Sequence, residues 1–167
     1  MSNNITQRLV VTSSAFKDGE MIPFKYTLNG ENVSPDISWK GAPDDSKSFV
    51  IIATDHDIPI SKFRLFTWNH WVVYNIPPDV LSLPEAVSAT ENLDNGAKQG
   101  MNSFRKTGYG GPCPPFGTHR YYFKVYAVDI KIDLEPKDAV KKKVLKAIGD
   151  NLREDLIIAY IFPMPRL

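Results

Sequence analysis

Alternation of apolar and polar positions predicts two β-strands. The first segment begins at Asn69 and ends at two prolines, and one of its parities carries His70, Val72 and Tyr74. The second segment begins near residue 119, and one of its parities carries Tyr121, Phe123, Val125 and Ala127. Because side chains alternate between the two faces of a strand, each segment is typical of a half-buried strand. His119 shares a face with Tyr121, and Arg120 points the other way.

A continuous apolar run over residues 49–54 predicts a strand buried on both faces. It is followed by Asp55-His56-Asp57, in which the two acids share a face if the strand continues, and then by Pro59, which would end it. Shorter strands are predicted over residues 9–12, 22–27 and 36–39. The apolar residues 156–162 are typical of a buried strand or a helix end.

Helical spacing of apolar residues occurs late in the chain. Pro136 and Asp138 suit a helix start, Val140, Val144 and Ile148 recur at helical spacing, and the glycine at 149 suits a C-cap. The lysines between them favour a solvated face. A second helical segment is expected from residue 150, and residues 79–107 are expected to form a long functional loop with a helical turn near 84–87.

These elements together predict a mainly β protein. Short strands separated by Gly/Pro turns, with helix only near the end, favour an antiparallel β-sandwich with a few peripheral helices and a C-terminal helix. The 167 residues suit one domain spanning 1–167.

Composition narrows the functional classes. A net charge of +1 gives no broad field for nucleic acid or an anionic membrane surface. A single cysteine, Cys113, excludes an intramolecular disulfide. The sequence has neither the apolar run of a signal peptide nor a stretch long enough to cross a bilayer, so a cytoplasmic location is expected.

Gly and Pro are concentrated in residues 108–117. The four glycines, at 108, 110, 111 and 117, permit positive φ and close approach of a ligand, and the three prolines stiffen the loop. The loop leads directly into His119, Arg120 and Tyr121. This combination favours a pocket, although an ordinary turn feeding a strand also accounts for it.

The polar groups at the predicted strand ends suit recognition of an anion. Asp55, His70, His119 and Tyr121 supply two imidazoles, a carboxylate and a phenol, and loop N–H groups could add donors. An alternative from another class is a small hydrolase that uses Cys113 or a His-activated water. A zinc site is disfavoured because no spacing of ligands matches a known pattern, and no cofactor is predicted.

Two long motifs resemble those of the phosphatidylethanolamine-binding protein family, which includes the Raf kinase inhibitor proteins, and especially its prokaryotic branch. The first, Asp-x-Asp-x-Pro followed by His-Trp and Asn-Ile-Pro, occupies residues 55–59, 70–71 and 75–77. The second, Gly-x-Gly-Gly-Pro-x-Pro-Pro followed by Gly and His-Arg-Tyr, occupies residues 108–121. The resemblance covers nearly the whole chain.

The resemblance implies a β-sandwich with a small anion-binding pocket at one end. In it, Asp55, His70, His119 and Tyr121 would line the pocket, and Pro59, Gly110 and Pro112 would shape it. Asp57 and Arg120 would brace the loops from behind. His56 stands where the family usually has proline.

Relatives of this kind bind phosphate, phosphorylated head groups or phosphopeptides, and several inhibit kinases or proteases through the surface around the pocket. The resemblance implies no established catalytic reaction. Pairing of two copies through an exposed sheet face is an open alternative to a monomer.

Overall fold

The structure, a computed structural model, describes residues 9–58, 66–149 and 152–161, the last range as backbone. Within them lie β1 (Val10–Thr12), β2 (Glu20–Met21), β3 (Ile37–Lys40), β4 (Ser48–Ile58), β5 (Phe66–Ile76), β6 (Ser82–Leu83), β7 (Lys98–Gln99), β8 (His119–Val128) and β9 (Leu152–Ile161). Two 3₁₀ turns (Phe24–Tyr26, Pro136–Asp138) and one α-helix, α1 (Lys141–Ile148), complete the described elements.

The strands form two sheets. The smaller has the order β1-β3-β6, and the larger has the order β2-β9-β8-β4-β5-β7. All pairings are antiparallel except that of β2 with β9. The predicted mainly antiparallel β fold is confirmed, as is a helix near the C-terminus.

Both faces of the large sheet are covered, which explains the apolar run of β4. Phe49, Ile51 and Ala53 pack with Trp39 of the small sheet in one core. Val50 and Ile52 pack on the opposite side in a second core, which α1 covers with Val144 and Ile148. The prediction that this segment is buried on both faces is therefore confirmed.

Several local predictions are wrong. Residues 22–27 do not form a strand, because the amides of Tyr26 and Thr27 donate to the carbonyls of Pro23 and Phe24 and close a 3₁₀ turn. The second helix expected from residue 150 is wrong from residue 152 onward, where the chain forms strand β9, which agrees with the strand alternative for residues 156–161. Helix α1 begins only at Lys141.

The expected loop over residues 79–107 contains the short strands β6 and β7, and residues 84–87 do not form a helical turn. In the described ranges, no helix is long and apolar enough to cross a membrane.

Candidate functional site

Pairing of β4 with β8 brings three of the predicted site residues together. Asp55 lies opposite Tyr121 in the register, and His119 is two residues before Tyr121. Asp55 has the same parity as Phe49, Ile51 and Ala53. Its side chain therefore lies on the face of β4 that packs against the small sheet, near the end of the strand. All three residues are at most 2% exposed.

A β-bulge brings His70 to the same place. In the pairing of β4 with β5, Ala53 lies opposite Trp71 but Thr54 lies opposite Asn69, which leaves His70 as the extra residue. The predicted shared face with Val72 and Tyr74 is wrong at this residue, because a bulge interrupts alternation and can redirect a side chain. The His70 ring packs edge-on against Tyr121, with ring centroids 5.3 Å apart.

The Asp55 carboxylate organises one side of the cluster. Its Oδ2 lies 2.5 Å from Nδ1 of His119, and its Oδ1 accepts the backbone N–H of Asp57 at 2.8 Å. The His119 ring stacks on that of Tyr121, with centroids 6.4 Å apart. Burial and the nearby charge of Asp55 raise the pKa of the Tyr121 phenol, so its hydroxyl keeps its proton and can donate it in a hydrogen bond.

His70 is fixed by the glycine loop. Its Nδ1 lies 2.6 Å from the carbonyl oxygen of Gly110, and its own carbonyl accepts the N–H of Gly110 at 2.9 Å. Burial lowers the pKa of His70 to about 4, against the opposing effects of the Gly110 carbonyl and the charge of Asp55. The ring is therefore neutral at physiological pH.

Each imidazole thus uses Nδ1 within the protein. In the described part of the chain, Nε2 of His119 is buried and has no hydrogen-bond partner. Buried polar atoms in folded proteins nearly always have a partner, so an unsatisfied one calls for a specific explanation. An oxygen atom of a bound ligand would supply the missing partner.

The Gly/Pro loop is tied to the chain near residue 30. The N–H of Gly111 donates to Oδ1 of Asn32 at 2.7 Å, and the carbonyl of Pro112 accepts the N–H of Leu28 at 3.0 Å. A Cβ on Gly111 would lie 2.5 Å from the Leu28 nitrogen, so close backbone approach requires glycine there. Because the amides of Gly110 and Gly111 donate within the protein, they are not available as the anion donors considered from the sequence.

Two of the four loop glycines have positive φ and the other two do not. Gly108 and Gly117 have positive φ, at 92° and 66°, as the sequence suggested. Gly110 and Gly111 are needed for space instead: a Cβ on Gly110 would come within 2.6 Å of the Phe104 ring. Phe104 in turn packs against His70, with centroids 5.6 Å apart.

Asp57 and Arg120 form a second pair just behind this cluster. Nε and Nη2 of Arg120 donate to Oδ2 and Oδ1 of Asp57 at 2.8 and 2.7 Å, and the Arg120 backbone N–H donates to Oδ2 at 2.9 Å. Asp57 is fully buried. The two acids of β4 therefore have different partners.

The remaining candidates lie apart from the cluster. Cys113 is exposed, and its thiol contacts Nδ2 of Asn29 at 3.8 Å. His56 is half-buried and contacts Thr54 and Tyr122, while burial and the charges of Lys141 and Lys124 lower its pKa. Pro59 lies outside the described residues. Sequence reasoning missed Asn32 and Phe104, whose roles depend on contacts distant in sequence.

These four polar side chains do not line the groove between β5 and α1. This groove has a volume of about 800 Å³ and is lined by residues such as Trp68, Met101 and Leu145. Over the ranges that the structure covers, no group of three His, Cys, Asp or Glu side chains is placed to hold a metal ion.

Comparison with known proteins finds similarity over most of the chain. A family profile described as phosphatidylethanolamine-binding protein matches residues 12–162. A UPF0098 protein of Methanothermobacter thermautotrophicus is 48% identical over 134 residues, which cover 80% of this chain and 85% of that protein.

Two solved structures are similar across nearly the whole chain. A putative phosphatidylethanolamine-binding protein homologue from Chlamydia trachomatis superimposes with a TM-score of 0.82 and 35% identity, covering 93% of this chain and 97% of that one. YbcL of Escherichia coli, described as a member of the mammalian family, superimposes with a TM-score of 0.79 and 32% identity, covering 94% and 99%.

Proposed function

The chain belongs to the phosphatidylethanolamine-binding protein family, and from that premise we propose that it binds small anionic or phosphorylated groups between Asp55, His70, His119 and Tyr121. Phosphate, phosphorylated head groups and phosphopeptides all present such a group. Membership supports ligand binding in general, and the observation that carries the narrower proposal is the buried, unpartnered Nε2 of His119. When His119 is protonated, this nitrogen donates to an anionic oxygen.

The size of the site favours one oxyanion over a larger ligand. The four side chains are between 0% and 4% exposed, so little of each is open to solvent. Phe104 and the ordered loop 108–112 narrow the space further. We therefore propose that a phosphoryl or carboxylate group enters while the rest of its molecule stays outside.

A histidine-resolved NMR titration tests the proposal. We expect inorganic phosphate or phosphoethanolamine at millimolar concentration to shift the imidazole signals of His70 and His119 with saturation. The His56 signals serve as an internal reference because this ring contacts Thr54 and Tyr122 and lies apart from the cluster. Absence of any shift at His70 and His119 would contradict the proposal.

Inhibition of a kinase or protease is a further part of the proposal. Its support is an apolar surface on and beside the Gly/Pro loop, where Phe116 is 64% exposed and Leu28 is 41% exposed. Large exposed hydrophobic side chains beside a pocket are suited to contact with another protein. We expect Phe116→Ser to weaken inhibition of any responsive enzyme while leaving phosphate binding unchanged. Equal inhibition by the variant would exclude this surface.

The hydrolase alternative that uses Cys113 gains no support from the geometry. In the described part of the chain, the Cys113 thiol contacts an asparagine side chain and has no imidazole partner. A cysteine nucleophile needs a nearby group that lowers its pKa. We expect no turnover of ester or phosphoester substrates that depends on Cys113. A single domain, a cytoplasmic location and pairing of two copies stay predictions.

A further inference from the structure

The hydrogen bonds of His70 determine which proton it carries. A backbone carbonyl can only accept, so the contact with Gly110 places a hydrogen on Nδ1. The neutral ring then presents a lone pair at Nε2. In the described residues this atom has no hydrogen-bond partner. His70 therefore offers an acceptor, whereas an oxyanion with no hydrogen of its own requires donors.

The charges around the site also disfavour a doubly charged ligand. The Asp55 carboxylate lies inside the cluster, and a protonated His119 balances only that one charge. Burial keeps His70 neutral, since its pKa lies at about 4. Tyr121 keeps its proton, and Tyr109 does the same because burial raises its pKa.

Other charged groups nearby do not change this balance. The guanidinium of Arg120 is engaged by Asp57 behind the cluster. A thiolate at Cys113 would raise the pKa of Tyr121 and would add negative charge near the site, so it does not help to hold a doubly charged ligand. In the described part of the chain, no lysine or arginine forms a hydrogen bond or ion pair with the four site residues.

We propose that the pocket takes its oxyanion in a singly charged form that carries one proton, as the monoanion of a phosphate monoester. The P–OH group donates to Nε2 of His70, and a charged oxygen accepts from the protonated Nε2 of His119. This inference rests on the proposed function and narrows it to phosphomonoesters. The phosphodiester of an intact phospholipid has no such hydrogen and leaves Nε2 of His70 unpaired.

Nε2 of His70 distinguishes phosphomonoesters from phosphodiesters, because only the former supply it with a hydrogen. Sites built to pair a ligand hydrogen reject analogues that lack it, and one lost buried hydrogen bond lowers affinity by about tenfold or more. A phosphomonoester loses its last proton with a pKa of about 6. The fraction of monoanion therefore falls roughly 20-fold between pH 5.5 and pH 7.5.

Isothermal titration calorimetry with three matched probes tests the proposal. The probes are phosphoethanolamine, its sulfate ester isostere (singly charged, without the proton), and glycerophosphoethanolamine, the head-group diester of a phospholipid. We expect phosphoethanolamine to bind about tenfold more tightly than either of the others at pH 5.5. We expect that advantage to disappear by pH 7.5.

The ratio of the affinity for phosphoethanolamine to that for the sulfate ester separates the effect of the ligand's proton from the effect of titrating groups in the protein. A pH-dependent change in the protein acts on all three probes and cancels in the ratio. Equal affinities at pH 5.5, a ratio constant with pH, or a ratio that rises with pH would overturn the inference and leave the proposed function standing. Failure of every probe to bind at either pH would overturn both.

The control variant is His56→Gln, which removes the histidine that lies outside the cluster. It should reproduce the wild-type ratio of affinities, and a changed ratio would overturn the assignment to His70.

Discussion

Two carboxylates of β4, Asp55 and Asp57, each pair with a side chain at the start of β8, and only one of the two pairs is complete. Asp57 receives three hydrogen bonds from Arg120, so both of its carboxylate oxygens have partners within the protein. The pair of Asp55 with His119 leaves Nε2 of His119 without a partner in the described residues, although His119 is fully buried. The pair formed by Asp57 is a structural contact, and we propose the pair formed by Asp55 as the binding position.

The difference between the two pairs shows how the partner of a carboxylate decides whether a nitrogen is left for a ligand. A planar guanidinium matches both oxygens of a carboxylate, and this two-point contact fixes Arg120 against Asp57. An imidazole has two nitrogens on opposite sides of its ring, so binding one to a carboxylate orients the other. The two positions differ in the partner of the carboxylate, which is arginine for Asp57 and histidine for Asp55.

Removal of Arg120 tests the complete pair and has the largest expected effect. Arg120→Ala removes the two guanidinium hydrogen bonds to the buried carboxylate of Asp57, and we expect a loss of about 3–5 kcal/mol in the free energy of unfolding, measured by urea denaturation. Lys143→Ala is the matched control, because its pair with Asp138 is about half exposed and should contribute less than about 1 kcal/mol. A loss for Arg120→Ala as small as that of the control would refute the structural role.

Acidification tests the burial of neutral His70. Its pKa is about 4 in the folded protein against 6.5 when exposed, so the unfolded chain binds more protons between these values. Stability is therefore complete above pH 6.5 and is lost as the pH falls toward 4. We expect His70 to contribute a loss of about 2 kcal/mol between pH 7 and pH 5.

The measurement is the difference between the unfolding free energies of the wild type and His70→Asn across this pH range. The variant should lose less stability on acidification than the wild type. Parallel curves for the two proteins would mean that His70 is charged or solvated in the folded state. His56→Gln provides the comparison with a half-buried histidine, for which a smaller change is expected.

Substitution of His119 tests the incomplete pair. His119→Gln removes the imidazole whose Nε2 has no partner among the described residues, and we expect phosphate affinity to fall by about tenfold or more in a calorimetric titration. Asp55 retains the backbone N–H of Asp57 as a donor. Retention of wild-type affinity by a folded variant would place the anion elsewhere.

Substitution of Cys113 has the smallest expected effect. Its thiol is exposed and contacts only Asn29 among the described residues. We expect Cys113→Ala to change phosphate affinity by less than about twofold, because loss of an exposed side chain outside the cluster removes no ligand contact. A larger loss in affinity, or loss of an esterase activity present in the wild type, would revive the hydrolase hypothesis.

Periodicity in the sequence predicted the frame of the fold well where long strands are regular. The run over residues 49–54 and the alternation after residue 119 became β4 and β8, whose pairing places Asp55 beside Tyr121. Strong hydrophobic patterns decide such strands because burial is their main source of stability. Short segments such as 22–27 failed, since a local 3₁₀ turn competes with pairing where Pro23 removes a donor.

The geometry of the site was less accessible to sequence reasoning. Alternation alone places His70 on the face of Val72 and Tyr74, whereas the bulge opposite Ala53 and Thr54 turns it toward Tyr121. A bulge depends on the register of two strands, and neither strand encodes it by itself. Asn32 likewise reaches Gly111 across 79 positions of sequence separation, a contact that only the folded chain defines.

A crystal structure grown with inorganic phosphate at pH 5.5 tests the central claim most directly. The account predicts a phosphate oxygen within hydrogen-bond distance, about 2.6–3.2 Å, of Nε2 of His119, with a second oxygen equally close to Nε2 of His70. Both Nδ1 contacts, to Asp55 and to Gly110, should persist in the complex. Phosphate bound only elsewhere on the protein, with the two imidazoles closed against each other or against protein atoms, would contradict it.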